Sequence, residues 1–347
     1  MPSPPLTVLI VDDSATARAA LRRAMEAPGS PLRVVAEARN GDEALERLEA
    51  VRPDLVTMDV HLGREDGVEL TARIMAARPV PVVVVTSLSV SEPGLAFRAM
   101  EAGALDVLAR PVAATHPDYE DARRRLVRVL GALATVPLVT RRRAVPPLAP
   151  ASAPPPTRAQ GGLVLLGAST GGPPLLQSIL RELPRPFGAP VVIVQHVAQG
   201  FGVALGQWLR ETTGQLVEVV QQPTLLQPGR VYLAPDDAHL ELVGSGVRPG
   251  VGPPRGFHRP SIDVLFETAA RALPRSAVGV LLTGMGEDGA AGLAALRAAG
   301  AFTVAQEPST CVVSSMPASA IRRGAVDEVL LPGQVAAGLV RRIHLAR

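Results

Sequence analysis

Short apolar runs alternate with helix-forming segments along this chain, and that alternation limits what it can fold into more than any other feature. In residues 1–135 the runs are LTVLIV, LRVVAE, DLVTMD, VPVVVVTS and ALDVLA. Between them lie segments of helical spacing such as ATARAALRRAMEA and GDEALERLEAV. A parallel strand is covered by crossover helices on both faces, so it reads as a continuous apolar run rather than an alternating one. Five such repeats predict an α/β unit with a doubly wound, five-stranded parallel sheet.

The alternation stops at residues 136–160, which hold seven prolines and four arginines but no acid. Proline removes backbone donors and blocks both helix interiors and central strands, so this stretch predicts a semi-extended linker. A second unit is expected over residues 161–347. Its strand candidates are GLVLLGA, APVVIVQH, VGVLLTG and AFTVAQ, which predict a mostly parallel sheet. A polar stretch from Gln221 to Gly256 interrupts the pattern, and its pieces RVYLA and HLELV suggest a small antiparallel insertion.

Charge and composition exclude several functions. Residues 1–135 carry 16 Arg against 19 acids, and residues 161–347 carry 15 Arg against 13 acids. Neither unit is a basic surface for nucleic acid, and aromatics at 3% are too few to stack bases. Cys311 is the only cysteine, which rules out an intrachain disulfide. No apolar run reaches 18 residues, and the N-terminus lacks the pattern of a signal sequence. The expectation is a cytoplasmic protein that neither inserts into a membrane nor binds nucleic acid.

Asp12 and Asp13 follow the first strand and Asp59 follows the third. The carboxyl ends of parallel strands share one edge, where ligands bind. Three carboxylates gathered there repel one another, and a hard divalent cation such as Mg²⁺ relieves the repulsion. Thr86 ends the fourth strand with a hydroxyl, and Arg110 ends the fifth with a positive charge. Taken singly, each Asp is also explained as a turn or helix-cap residue.

The stretches VLIVDDSATAR, PDLVTMDVHLGREDG, VVVVTS and GALDVLARP resemble a response-regulator receiver domain. The resemblance implies that Asp59 accepts a phosphoryl group, that Asp12 and Asp13 help hold Mg²⁺, and that Thr86 senses the phosphate. There are two departures. The family usually has Lys where Arg110 stands, in a chain with no lysine at all, and tends to have Pro where Gly63 stands. Arg keeps the charge but is longer and planar.

In the second unit the strand LVLLGA runs into Gly167-Ala168-Ser169-Thr170-Gly171, which fits G-x-S-x-G. That pattern exposes a serine on a sharp strand-to-helix turn. A phosphate cradle is the competing reading, but the glycines do not make G-x-G-x-x-G and no lysine follows. A serine nucleophile needs a base and an orienting acid. Of six histidines, only His196 directly follows a buried strand of the same sheet. Asp288 follows a third strand, with Asp263 and the adjacent Glu287 as rival acids. The glycines around Met285 suit a loop that donates N–H groups to an oxyanion together with Thr170.

In order, GASTGGPPLL, VVIVQHVAQGF, VYLAPDDAHLEL, RPSIDVLF, VLLTGMGEDGAAGL and AQEPSTCVVSSMP are similar to the catalytic domain of the chemotaxis protein-glutamate methylesterases, the CheB family. The resemblance implies Ser169 as nucleophile, His196 as base, Asp288 as orienting acid, and the N–H groups of Thr170 and Met285 as oxyanion donors. It implies hydrolysis of glutamate methyl esters and deamidation of glutamines on methyl-accepting chemoreceptors, with no cofactor for the ester chemistry. It also implies phosphate transfer from a chemotaxis histidine kinase and inhibition by the unphosphorylated receiver. Two rival readings are a receiver-controlled DNA-binding regulator, which should show a basic recognition helix, and a non-catalytic adaptor. The first lacks its helix, and the second is disfavoured by the retained triad residues.

Overall fold

A computed structural model describes residues 4–63, 65–86, 93–136 and 162–344. The expected linker, apart from Val136, lies outside the described residues, as does Ser87 at the end of the fourth apolar run.

The N-terminal part begins with β1 (Leu6–Val11), α1 (Ala15–Met25), β2 (Leu32–Ala38), α2 (Gly41–Val51) and β3 (Leu55–Met58). A small antiparallel hairpin, β4 (His61–Leu62) and β5 (Glu65–Asp66), leads into α3 (Gly67–Ala77). Then come β6 (Val82–Thr86), α4 (Pro93–Glu101), β7 (Asp106–Ala109) and α5 (Tyr119–Leu133). The five long strands form a parallel sheet in the order β2-β1-β3-β6-β7. The strand order reverses between β1 and β3, so the ends of those two strands open onto a crevice. Ser14 and Asn40 cap α1 and α2 by accepting from Ala17 N and Glu43 N. Each helix thus begins just past a strand end, and the caps fix where the strand-end residues point.

The C-terminal part starts with β8 (Leu163–Ala168), α6 (Gly172–Glu182), β9 (Val191–Gln195), α7 (Gly202–Thr213), β10 (Leu216–Val219) and β11 (Thr224–Leu225). It continues through β12 (Arg230–Leu233), β13 (His239–Val243), β14 (Gly246–Gly250) and α8 (Ile262–Ala272). The last elements are β15 (Ala277–Leu281), α9 (Ala290–Ala298), β16 (Phe302–Gln306), α10 (Ser315–Arg322), β17 (Glu328–Leu330) and α11 (Pro332–His344). Seven strands pair in parallel in the order β10-β12-β9-β8-β15-β16-β17. Here the reversal falls between β8 and β15. Helices α6, α7 and α11 cover one face, while α8, α9 and α10 cover the other.

One expectation is corrected. RVYLA does not belong to the antiparallel insertion: it is β12, paired in parallel with both β9 and β10. Val231, Tyr232 and Leu233 are all buried, the mark of an interior strand covered on both faces. HLELV is antiparallel as expected, paired with β14, and β11 completes a three-stranded sheet.

The two sheets are joined through side chains of α4. Phe97 stacks on Trp208 of α7, with centroids 5.5 Å apart, and meets Phe201 edge-on at 6.4 Å. Glu101 accepts from the amide of Gln177 on α6. From α5, the Arg128 guanidinium lies 5.3 Å from the ring centre of Phe257. Among the described residues, no helix is long and apolar enough to cross a membrane.

Candidate active site

The end of β8 turns into α6 within a few residues. Ser169 N donates to Thr283 O at 3.0 Å, and Gly172 N folds back onto Ser169 O at 2.8 Å. Gly171 caps α6 with φ +76°, a left-handed conformation that glycine adopts without steric cost. A Cβ on Gly284 would lie 2.7 Å from the Ser169 Cβ and collide with Met316. The loop after β15 therefore approaches the serine only because position 284 has no side chain. Gln195 Nε2 donates to both Ser169 O (2.8 Å) and His196 O (2.9 Å), tying the two strand ends together.

His196 extends the β9–β8 ladder by one step, its N–H donating to Ala168 O at 3.0 Å. Its backbone is thereby fixed beside the residue preceding Ser169. The ring lies 2.9 Å from Asp288, Nε2 to Oδ2. A carboxylate accepts, so Nε2 carries the hydrogen and the tautomer is assigned from that bond. Nδ1 is buried and has no hydrogen-bond partner among the described residues. No hydrogen bond joins the Ser169 hydroxyl to the imidazole, and among the described residues that hydroxyl has no other partner. Catalytic contacts of this kind are often loose before substrate binds.

Asp288 sits at the N-terminus of α8. Its Oδ1 accepts from Ser261 Oγ (2.8 Å) and Asp263 N (3.2 Å), and its Oδ2 from Ile262 N (2.7 Å). Burial pushes the carboxyl upward. The hydrogen bond and charge of His196 outweigh it, together with Ile262 N–H and the Ser261 hydroxyl, and hold Asp288 well below the usual carboxylate range. The rival acids are engaged elsewhere. Asp263 accepts from Gly292 N at 2.6 Å, and burial followed by the charge of Asp288 raises its pKa. Glu287 is exposed and pairs with Arg323 at 2.9 Å. The N–H groups of Thr170 and Met285 have no acceptor among the described residues.

Sequence reasoning missed Gln195, Ser261 and His258 as parts of this site. Ser261 was legible as a helix cap before the apolar run IDVLF, and it does cap α8 by accepting from Val264 N. That its hydroxyl donates to Asp288 required the packing of α8 against the loop after β15.

In the first sheet, Asp12, Asp13 and Asp59 offer carboxylate oxygens all within 4.8 Å of one another. Arg110 Nη2 bridges Asp12 Oδ2 (2.6 Å) and Asp59 Oδ2 (2.9 Å). Burial, and then the charges of Asp59 and Asp13, push the Asp12 pKa up to about 6 against the opposing pull of Arg110. Among the described residues, Asp59 Oδ1 is buried without a partner, as is Arg110 Nε. A ring of carboxylates with an orphaned oxygen fits a hard cation that takes oxygen ligands. Thr86 is buried at the end of β6, and its carbonyl accepts from Arg110 N at 2.9 Å. Gly63 has φ +67° near the β4–β5 turn, a conformation proline cannot adopt.

The CheB methylesterase family model matches residues 164–339, and the response regulator receiver domain model matches residues 8–116. The protein-glutamate methylesterase/protein-glutamine glutaminase 3 of Anaeromyxobacter dehalogenans is 44% identical over 333 residues, covering 95% of this chain and 97% of the relative. A Myxococcus xanthus protein of the same name, numbered 4, is 43% identical and covers 95% of each chain. The crystal structure of the Thermotoga maritima CheB methylesterase catalytic domain is 34% identical. It covers 52% of this chain and 98% of its own, with a TM-score of 0.50. With both models matched in order and its relatives aligned nearly end to end, the chain belongs to the CheB methylesterase family and carries a response regulator receiver domain ahead of the methylesterase domain.

Proposed function

We propose that this protein hydrolyses glutamate methyl esters on methyl-accepting chemoreceptors, deamidates glutamines there, and is controlled by phosphorylation of its receiver domain. The observation that carries the reading is the 2.9 Å bond from His196 Nε2 to Asp288, which leaves the buried Nδ1 unpartnered among the described residues, on a residue whose backbone bonds Ala168 next to Ser169. Ser169 Oγ attacks the γ-carbonyl carbon while Nδ1 takes its proton. The tetrahedral oxyanion lies against the N–H groups of Thr170 and Met285. The bond from carbon to methoxy oxygen then breaks, and methanol leaves with the proton from His196. A water molecule, deprotonated by the same nitrogen, resolves the acyl-serine to a glutamate carboxylate. From glutamine the leaving group is ammonia. Asp288 stays ionised throughout and stabilises the imidazolium.

The receiver covers this edge. Phe97, Met100, Asp106 and Val107 share a crevice with Pro173, His196, Val197 and Phe201. Met285, Val312 and Val313 pack against the receiver core. The Asp106 carboxyl faces the Thr170 side chain, and burial lifts its pKa to about 6. A receptor helix cannot reach Ser169 past these contacts, which supports inhibition in the unphosphorylated state. Asp59 is the phosphoryl acceptor, with a histidine kinase as donor. Asp12, Asp13 and Asp59 would hold Mg²⁺, which neutralises the charge gathered during phosphoryl transfer. In this reading Thr86 and Arg110 read the phosphate, and the open form follows from a population shift.

Methylated receptor membranes provide the test. Wild type should release methanol, faster with acetyl phosphate and Mg²⁺. Ser169→Ala should release none, and Asp59→Asn should lose the acceleration. Equal rates for wild type and Ser169→Ala would remove the catalytic assignment.

A further inference from the structure

His258 has no role in the scheme above, yet its imidazole lies face to face with that of His196. The ring centroids are 4.0 Å apart and the planes 5° from parallel. Around it the loop is exposed: Val251 and Phe257 show 97% and 82% of their surface. His258 turns inward and stacks on His196. Burial, and next the neighbouring His196, lower its pKa to about 4, while Asp288 opposes this and Arg125 and Arg128 of α5 add to it. The stacked ring is therefore uncharged at neutral pH.

The geometry around His196 leaves a need for such a ring. Among the described residues one hydrogen bond, at Nε2, anchors the imidazole, and Nδ1 has none. The terminal torsion of a histidine has a broad energy well. A ring pinned at one atom swings about that pin, and the swing moves Nδ1, the atom that must meet the serine proton. A parallel ring at van der Waals distance closes one face to that motion.

The backbone supports this face firmly. Arg255 and His258 exchange backbone hydrogen bonds, Arg255 N to His258 O at 3.0 Å and His258 N to Arg255 O at 3.1 Å. A few residues on, Ser261, Ile262 and Asp263 donate to Asp288. One short stretch, residues 258–263, thus reaches His196 twice: on its face directly, and at its edge through Asp288.

Resting on the Ser169–His196–Asp288 reading, we infer that His258 is a positioning residue whose ring face fixes the plane of His196 and keeps Nδ1 directed at the Ser169 hydroxyl. A flat apolar ring should substitute for it, because the role needs a face and no proton.

The test uses the full chain carrying His258→Phe, His258→Ala or His258→Leu. Leucine keeps buried volume without a planar face, in case the alanine variant fails to fold. With acetyl phosphate and Mg²⁺, His258→Phe should hold kcat for methanol release within about threefold of wild type, whereas alanine and leucine should lower it at least about tenfold with KM nearly unchanged. Nitrogen-15 spectra should show His196 as the single Nε2–H tautomer in wild type and His258→Phe, and as a tautomer mixture in the other two. A kcat that falls as far with phenylalanine as with alanine would overturn the inference. So would a single His196 tautomer in all variants. The spectra need no substrate, so they judge His258 even if Ser169→Ala were to match wild type and the esterase reading failed.

Discussion

Asp288 binds His196 with one oxygen at 2.9 Å while taking three further donors from Ser261, Ile262 and Asp263. The acid is therefore held by the start of α8, and His196 reads a carboxylate that cannot rotate. Ser261→Ala removes one donor but leaves both backbone N–H groups. A hydrogen bond to a charged group contributes about 1.5–3 kcal/mol, so kcat should fall on the order of tenfold or somewhat more. Asp288→Asn should cost on the order of 10⁴, because the amide favours the wrong tautomer of the base. Methanol release from methylated receptor membranes measures both, with circular dichroism verifying the fold.

Arg110 bears on the charge of the proposed phosphorylation site. Its Nη2 already bridges Asp12 and Asp59, offsetting part of the charge that a divalent cation would also meet. Removing a positive charge a few ångströms away strengthens cation binding. Arg110→Ala should bind Mg²⁺ more tightly by about tenfold, measured by calorimetry on the full chain. If Arg110 reads the phosphate as proposed, the same variant should also lose the link between phosphorylation and methanol release. Unchanged Mg²⁺ affinity would show that the guanidinium does not compete with the cation.

The fold was legible where periodicity and burial agree. The five runs of the first unit became the five parallel strands, because a short apolar run between helical segments has few other places to go. RVYLA misled, since four or five residues in a polar neighbourhood look the same in a hairpin and in a central strand. Its parallel pairing with β9 and β10 and the burial of Val231, Tyr232 and Leu233 tell them apart. The strand-end rule brought His196 beside the serine turn, and Asp288 to His196. The rule says nothing of side chains reached across a helix start, so it does not find Ser261. His258 lies in a Gly/Pro-rich loop with no period to read, and its stack on His196 depends on tertiary packing alone.

Phe97 joins the two sheets. It is 1% exposed, stacks on Trp208 and meets Phe201 edge-on, all three at the surface where α4 meets α6 and α7. Truncation to alanine removes both aromatic contacts, and such pairs contribute about 0.5–1.5 kcal/mol each beyond the area they bury. Phe97→Ala should shift the molecule towards the open form and raise methanol release without phosphate by about tenfold or more. The phosphorylated rate should change little. If the unphosphorylated rate stays at the wild-type level, the α4 contact is not what restrains the enzyme.

His258 also makes stability depend on pH. Its folded pKa is about 4, below the ordinary value of 6.5. Between those values the unfolded chain binds a proton that the folded chain does not, so stability is lost as pH falls through the window. Integrated over the window, the loss is about 3 kcal/mol. His258→Phe has no proton to take up there. Unfolding in urea, followed through the single tryptophan, Trp208, should show wild type losing about 2–3 kcal/mol more than the variant between pH 7 and pH 4.5. Asp12 and Asp106, whose pKa values are both raised to about 6, titrate in the same range but cancel in the comparison, since both proteins carry them. Parallel curves would mean that His258 keeps an ordinary pKa and is more exposed to water than its stacked position on His196 implies.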